Sequence, residues 1–214
     1  MALAALLVGA FVYRTRNAGP VDATALPQDS AGPQLRVAII GDSSDPRIPV
    51  VREAIVHWNH EFLRLGRRVH FDSVTIRGDS VPDELLRGVS GEAVAGFGPS
   101  TSRLLESLSE VPADVVIALS RADLISFGLR WRKAGRGVVG LRRSDIPPLS
   151  LPNTLRNVVA HELGHVLGLD HNRDSTTLMC GRPAPCRPAA FASDRARFFP
   201  LTVADEERLQ KRWL

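Results

Sequence analysis

Eleven residues in the last third of the chain have types and spacing that could bind a metal. Residues 161–171 read HELGHVLGLDH, and they hold three of the chain's six histidines. On an α-helix, residues four apart lie one turn apart on the same face, so His161 and His165 can direct two imidazoles at one ion. Gly168 can end the helix in a left-handed conformation, and the returning chain then offers His171 as a third ligand.

Zinc suits this set of ligands. Zinc binds imidazole nitrogen at roughly 2.0–2.1 Å in a tetrahedron, and three protein ligands leave the fourth position to water, as in catalytic sites. Glu162 is rotated about 100° from His161 around the helix, which directs it to the water rather than to the metal. Because zinc lowers the pKa of such a water towards about 7, a carboxylate can take its proton during attack on a carbonyl. The pattern predicts Glu162 as a general base.

The motif is followed by Met179, eight residues after His171, in the segment Thr-Thr-Leu-Met-Cys. Together they resemble the signature of the metzincin zinc proteases, and the Leu-Met wording resembles the matrixins in particular. The resemblance implies a zinc ion held by His161, His165 and His171, with Met179 as a hydrophobic floor below them. A structural helix that carries these residues by chance is the alternative, which the glycine, the third histidine and the methionine disfavour.

Composition and charge fit one globular domain with a tail. The chain has 214 residues, of which 44% are hydrophobic, and a net charge of +4. Its 27 basic residues include 25 arginines, which are scattered without a long basic run or interleaved aromatic residues. This distribution argues against nucleic-acid binding. We expect a peptide or protein as substrate, no nucleic-acid partner, and a monomer.

Two cysteines follow the methionine closely. Cys180 and Cys186 are separated by a turn-rich segment that contains Gly181, Pro183 and Pro185. We predict that a disulfide closes this loop beside the substrate pocket; two free thiols are the alternative, which a cytosolic location would favour. A second metal site is disfavoured, because two thiolates alone do not complete a zinc tetrahedron.

The amino terminus bears on the cellular compartment. Residues 2–13 form a mostly apolar, uncharged run that is followed by Arg14 and Arg16. As a helix this run is about 18 Å long, which is short of a roughly 30 Å bilayer core and suits a signal peptide. The basic residues stand on the wrong side for a signal peptide, so an uncleaved membrane anchor or a buried helix is the alternative. We expect an exported protein, secreted or anchored with its catalytic part outside the cytoplasm.

The chain divides into a hydrophobic signal or anchor segment at 1–13, a linker rich in proline and glycine at 14–34, and a catalytic domain at 35–214. Hydrophobic alternation predicts strands, and a period near 3.6 predicts helices. The predicted strands are 35–40, 69–76 (with an irregularity), 113–119 and 137–142. The predicted helices are 50–65, 102–108, 153–167 and 202–213.

The order of these elements is similar to that of a matrixin-like catalytic domain. The resemblance implies an α+β fold of the zincin-like metzincin type, with a twisted mixed sheet, an active-site helix and a small C-terminal subdomain. We expect the strand at 137–141 to be the sheet edge along which an extended substrate pairs. Residues 181–187 would wall the pocket beyond the scissile bond.

Two departures from the matrixins are visible. No histidine lies between His70 and His161, so the histidine-bound structural zinc of many matrixins is not expected. No cysteine precedes Cys180, so a cysteine latch on the zinc is not expected either. A calcium ion remains an alternative without support in the sequence.

The histidines outside the motif, and Trp131, are expected to have structural positions without a role in the site. His57 and His60 lie three residues apart on the first predicted helix, and we expect both to be exposed while Trp58 packs inward. His70 is expected on a strand surface. Trp131 is expected in a loop.

The function predicted from these observations is that of a zinc-dependent endopeptidase, with Glu162 as general base and then as proton donor to the leaving amine. One alternative is a zinc-dependent amidase or aminopeptidase that acts on small or cell-wall peptides. Cleavage of long unfolded proteins, compared with short capped peptides, separates these two. The other alternative is a binding protein that keeps the zinc fold without turnover, which an activity assay tests.

Overall fold

The computed structural model describes residues 32–95, 98–131, 135–181 and 195–213. The apolar run at 2–13, most of the predicted linker and Cys186 lie outside these residues, so the predicted division of the chain stays a prediction. In chain order the elements are β1 (Gln34–Ile40), α1 (Arg47–Arg64), β2 (His70–Arg77), α2 (Asp83–Ala95), α3 (Pro99–Ser107), β3 (Val115–Leu119), β4 (Phe127–Trp131), β5 (Arg136–Leu141), α4 (Pro152–Leu167) and α5 (Val203–Arg212).

The strands form one five-stranded mixed sheet in the order β2-β1-β3-β5-β4. β1 pairs in parallel with β2 and β3, β3 pairs in parallel with β5, and only β4 runs antiparallel, against β5. The register of β1 against β2 shifts between Leu35 and Val37, which confirms the irregularity predicted for the second strand. The α+β fold with a mixed sheet is therefore confirmed.

Hydrophobic clusters cover both faces of the sheet, because successive strand residues point to opposite sides. The cluster shared with α1 and α4 includes the strand residues Val37, Ile39, Val115, Ile117, Val139 and Leu141. The cluster shared with α2 and α3 includes Ala38, Ile40, Val116, Ala118 and Val138. Burial on both faces explains why these parallel strands read as continuous apolar runs in the sequence.

The expectation that residues 137–141 form the sheet edge is wrong. This segment is β5, and it pairs with β3 on one side and with β4 on the other. The edge strand on this side of the sheet is β4, and Trp131, which was expected in a loop, is its last residue. Gly128 and Arg130 interrupt the apolar pattern of this short strand, and that interruption hid it in the sequence.

His57 also differs from its expectation. Its ring stacks on Phe198, with ring centroids 4.1 Å apart and an 8° angle between the planes. His60 is exposed as expected, with 72% of its side chain accessible, and Trp58 is fully buried as expected. Phe198 belongs to the segment before α5, far from α1 in the sequence. The spacing of residues within α1 therefore could not predict this contact.

No helix among the described residues is long and apolar enough to cross a membrane.

Candidate metal centre and active site

The helix α4 that carries the motif is held on several sides. Trp58 on α1 donates its indole N–H to the carbonyl of Ala160 at 3.0 Å. Gly164 lies against the methionine turn so closely that a Cβ there would come within 2.5 Å of the Met179 sulfur. At the end of α4, Gly168 adopts the left-handed conformation with φ 99°, as predicted. The chain thereby reverses towards His171.

Three imidazole nitrogens converge at this end of the helix. The Nε2 atom of His161 is 3.1 Å from those of His165 and His171, and the last two Nε2 atoms are 3.0 Å apart. Within the described parts of the chain, these histidines are the one group of three or more side chains that could hold a metal ion. The structure thus brings together all three ligands predicted from the sequence.

Backbone carbonyls set the tautomers of two of these rings. His161 Nδ1 lies 2.7 Å from the carbonyl oxygen of Leu178, and His165 Nδ1 lies 2.9 Å from that of Leu169. An imidazole that donates from Nδ1 turns the lone pair of Nε2 towards the shared centre. Burial is the largest cause that lowers the pKa of His165 below its ordinary value, which favours the neutral, ligating form.

This donor set fits zinc. A tetrahedron with zinc–nitrogen distances of 2.0–2.1 Å separates its ligands by about 3.3–3.4 Å. The Nε2 separations of 3.0–3.1 Å are only slightly smaller. Three lone pairs turned to one point repel each other unless a cation lies among them. His161, His165 and His171 would therefore hold a zinc ion and leave its fourth position open.

Glu162 follows the first ligand on α4 and is buried, with 6% of its surface accessible. The edge strand β4 passes close beside it: a Cβ at Gly128 would come within 2.1 Å of the Glu162 carbonyl oxygen and 3.0 Å of the His165 Cβ. The free edge of the sheet therefore runs along the metal centre. A glycine inside a short strand is the sequence signal that could have revealed this close approach.

Met179 is fully buried and is not one of the three converging ligands, as predicted. The turn that carries it is tied to the third ligand by Asn172, which the sequence analysis missed. The Asn172 N–H donates to the Met179 carbonyl at 2.9 Å, and its side-chain oxygen accepts from the Thr177 hydroxyl at 3.0 Å. Its side-chain amide donates to Asp205 at 3.1 Å. One residue thus joins the metal centre to α5.

Cys180 is buried and disulfide-bonded. Its predicted partner Cys186 lies outside the described residues, as do 182–187 of the predicted pocket wall, so that pairing and that wall stay predictions. Gly181 is described, and a Cβ there would come within 2.1 Å of the His171 ring. A glycine is therefore needed where the chain passes the third ligand.

The matrixin family model matches residues 103–194, which contain the whole histidine motif and Met179. Among solved structures, the chain is similar to archaemetzincin from Methanopyrus kandleri, with 21% identity over 88% of this chain and 98% of that chain at a TM-score of 0.46. It is also similar to metalloproteinase-II from Bacteroides fragilis, with 15% identity over 87% of this chain and 55% of that chain at a TM-score of 0.48. Both TM-scores are below 0.5, so the fold assignment rests on the strands and helices described above. No curated protein matches the sequence significantly.

The matrixin model matches fewer than half of the residues of the chain, and the matched part contains the motif and the methionine on which the resemblance rests. The three converging histidines within that part could hold a metal ion.

Proposed function

We propose that this chain is a zinc-dependent endopeptidase that cleaves internal bonds of an extended peptide or protein. The observation that carries the proposal is the convergence of three histidine Nε2 atoms within 3.1 Å of one another. A buried glutamate next to the first ligand, and an edge strand that approaches His165, support it.

Each residue of the site would have a separate role in peptide hydrolysis. Zinc, when bound, supplies a Lewis acid that acidifies water and polarises the substrate carbonyl. His161, His165 and His171 hold it in place. Glu162 accepts a proton during attack on the carbonyl and returns it to the leaving amine. Burial of Glu162 keeps bulk water away from this proton transfer.

The edge strand β4 supports action on extended chains. Its outer edge has no strand partner among the described residues, so an extended peptide can pair with it by main-chain hydrogen bonds. The strand continues past Gly128 to Trp131, which gives a substrate main-chain contacts beyond the bond nearest the metal centre. This favours an endopeptidase over the amidase or aminopeptidase that is the alternative function.

Cleavage mapping tests the proposal. The zinc-loaded protein is incubated with a long unfolded protein, and the products are identified by mass spectrometry. An endopeptidase yields internal fragments, whereas an aminopeptidase yields a ladder from the amino terminus and spares blocked peptides. Glu162→Ala should give no fragments, while the matched control Glu110→Ala, an exposed glutamate, should cleave like the wild type.

Export and the Cys180–Cys186 disulfide are part of the same proposal, because an oxidising compartment is where such a bridge persists. Intact mass before and after reduction and alkylation measures the bridge. Two thiols that react without reductant, in protein recovered outside the cytoplasm, would refute it.

A further inference from the structure

A cavity of about 440 Å³ lies beside the metal centre, next to His165. One wall is the edge strand β4 at Gly128 and Arg130. Asp170, in the turn after α4, and Arg208 on α5 also line it. The cavity therefore continues the cleft along the strand that would align a substrate.

The side chain of Arg130 points into the same region as the metal ligands. Gly128 faces α4, because a Cβ there would meet Glu162 and His165. In a strand, residues two apart share one face, so Arg130 lies on the α4 side of the sheet as well. Two residues of strand span about 7 Å, which sets the distance along β4 from the metal centre to Arg130.

Among the described residues that line the cavity, arginines outnumber carboxylates. Arg130 and Arg208 are the arginines, and Asp170 is the carboxylate. Arg212 lies close by on α5, since a Cβ at Gly168 would come within 3.1 Å of its side chain. The carbonyl end of α4 offsets only about half a charge.

The carboxylate that lines the cavity can be displaced from its partner. Asp170 forms an ion pair with Arg208, but 82% of the Asp170 side chain and 49% of the Arg208 side chain are accessible. An ion pair this exposed contributes little to stability, so Arg208 can exchange Asp170 for another carboxylate at low cost.

Building on the peptidase function proposed above, we propose that this cavity binds the carboxylate of an aspartate or glutamate side chain in the substrate. Guanidinium groups bind carboxylates through paired, charge-assisted hydrogen bonds, and Arg130 and Arg208 come to the cavity from different elements, β4 and α5. The enzyme would therefore favour cleavage sites that carry an acidic residue a short distance from the scissile bond.

The direction of the substrate follows from strand pairing. Antiparallel pairs are slightly more stable per residue than parallel pairs, so an added strand would run antiparallel to β4. The scissile bond lies near Gly128 in this arrangement, and Arg130 follows Gly128 towards the carboxyl end of β4. The acidic residue then stands on the amino-terminal side of the scissile bond.

Matched peptides test this specificity. The cleavage site is first mapped with the wild type and then kept fixed. The two peptides of a pair differ only in having glutamate or glutamine at one position, and the pairs cover four positions on each side of that site. Binding is measured by fluorescence anisotropy on zinc-loaded Glu162→Ala, and kcat/KM is measured on the wild type. At one position on the amino-terminal side, we expect glutamate to be favoured by roughly tenfold, equivalent to about 1.4 kcal/mol. The preference should decrease with added salt.

Arginine variants assign the preference to this cavity. Arg130→Gln and Arg208→Gln should each lower the glutamate-to-glutamine ratio towards one. Arg208→Glu should reverse it in favour of a lysine peptide. The control Arg103→Gln, an exposed arginine on α3, should keep the wild-type ratio.

Equal binding of the glutamate and glutamine peptides at every position, or a preference of the wild type for lysine, would overturn the carboxylate site. So would an acidic preference found only on the carboxyl-terminal side. An unchanged glutamate-to-glutamine ratio in both Arg130→Gln and Arg208→Gln would also overturn it. Failure of the wild type to cleave any peptide would instead refute the peptidase function. In that case, binding to Glu162→Ala of one unfolded peptide with glutamate or glutamine scanned along its length still decides the carboxylate site.

Discussion

The three imidazole rings owe their arrangement to backbone carbonyls as well as to the motif. The spacing of His161, His165 and His171 predicted which side chains converge, because helix geometry and one left-handed glycine suffice for that. The carbonyls of Leu178 and Leu169 that orient two of the rings could not be predicted. They depend on where the chain returns after α4, and backbone groups carry no sequence signal.

His171→Ala tests the third ligand. Loss of one of three nitrogens opens the site, so zinc affinity should fall by more than about 100-fold, the upper range for loss of a residue that only supports a ligand. Competition with a chromophoric chelator measures the affinity. His60→Ala removes a histidine that is 72% accessible and should bind zinc like the wild type. An unchanged affinity in His171→Ala would place the third ligand elsewhere.

His57 predicts a pH-dependent contribution to stability. Burial is the largest cause that lowers its pKa to about 4 in the folded protein, while nearby Glu61 opposes the shift and His60 and Arg64 add to it. The unfolded chain, with an ordinary histidine pKa of about 6.5, binds the proton first. The contribution of His57 is therefore complete above about pH 6.5 and is lost as the pH falls towards 4.

His57→Phe preserves a ring against Phe198 and removes this titration. Between about pH 7 and pH 4.5, the wild type should lose about 2–3 kcal/mol more free energy of unfolding than the variant. Denaturant titrations with a chelator present exclude the effect of zinc release. His60→Phe serves as the exposed control, and parallel pH dependence of the wild type and His57→Phe would contradict the assignment.

At the scale of elements, local patterns predicted most of the fold. The strong apolar runs of β1, β3 and β5 were recognised, and so was the helix α5. It begins where the Thr202 hydroxyl accepts from the Asp205 N–H at 3.1 Å. The helix α2 was missed, since Gly88 and Gly91 weaken its helical pattern. The edge position of β4 could not be predicted, because strand order depends on pairings between distant parts of the chain.

Gly128→Ala tests the close approach of β4 to α4. The new Cβ would lie 2.1 Å from the Glu162 carbonyl oxygen, so the strand must move away from the metal centre. Overpacking of this kind costs about 1–3 kcal/mol, and displacement of the reacting groups by an ångström can lower activity about 100-fold. Denaturant titration and kcat/KM report the two effects.

Gly78→Ala is the matched control, because no atom lies within 4 Å of a Cβ there. It should change neither quantity appreciably. Full activity in Gly128→Ala would show that β4 does not need to lie this close to Glu162.

At the scale of the whole molecule, the metal centre borders one of two hydrophobic clusters that do not depend on a metal. Leu163 and Met179 belong to the cluster that α1 shares with α4, whereas α2 and α3 pack on the opposite face of the sheet. Composition predicted a single globular domain. The positive cavity at Arg130 and Arg208 was not predicted, because these residues are far apart in the sequence and meet only beside the turn after α4.

Chelation of the zinc should therefore lower stability without unfolding the protein. Zinc at about 100 times its dissociation constant contributes about 2.7 kcal/mol, which corresponds to roughly 5–10 °C in Tm for a domain of this size. Circular dichroism should show unchanged secondary structure after chelation and a lower Tm that zinc restores. Collapse of the secondary structure on chelation would mean that zinc is a folding element rather than only a reaction centre.

The measurement that tests the central claim most directly is the zinc content per chain, determined on the same samples of wild type and Glu162→Ala whose peptidase rates are recorded. We predict one zinc per chain in both proteins and a loss of activity of about 10²–10⁴-fold in the variant alone, because the ligands stay while the proton acceptor is removed. A Glu162→Ala protein that keeps its zinc and cleaves at the wild-type rate, or a wild type that cleaves without zinc, would contradict this account.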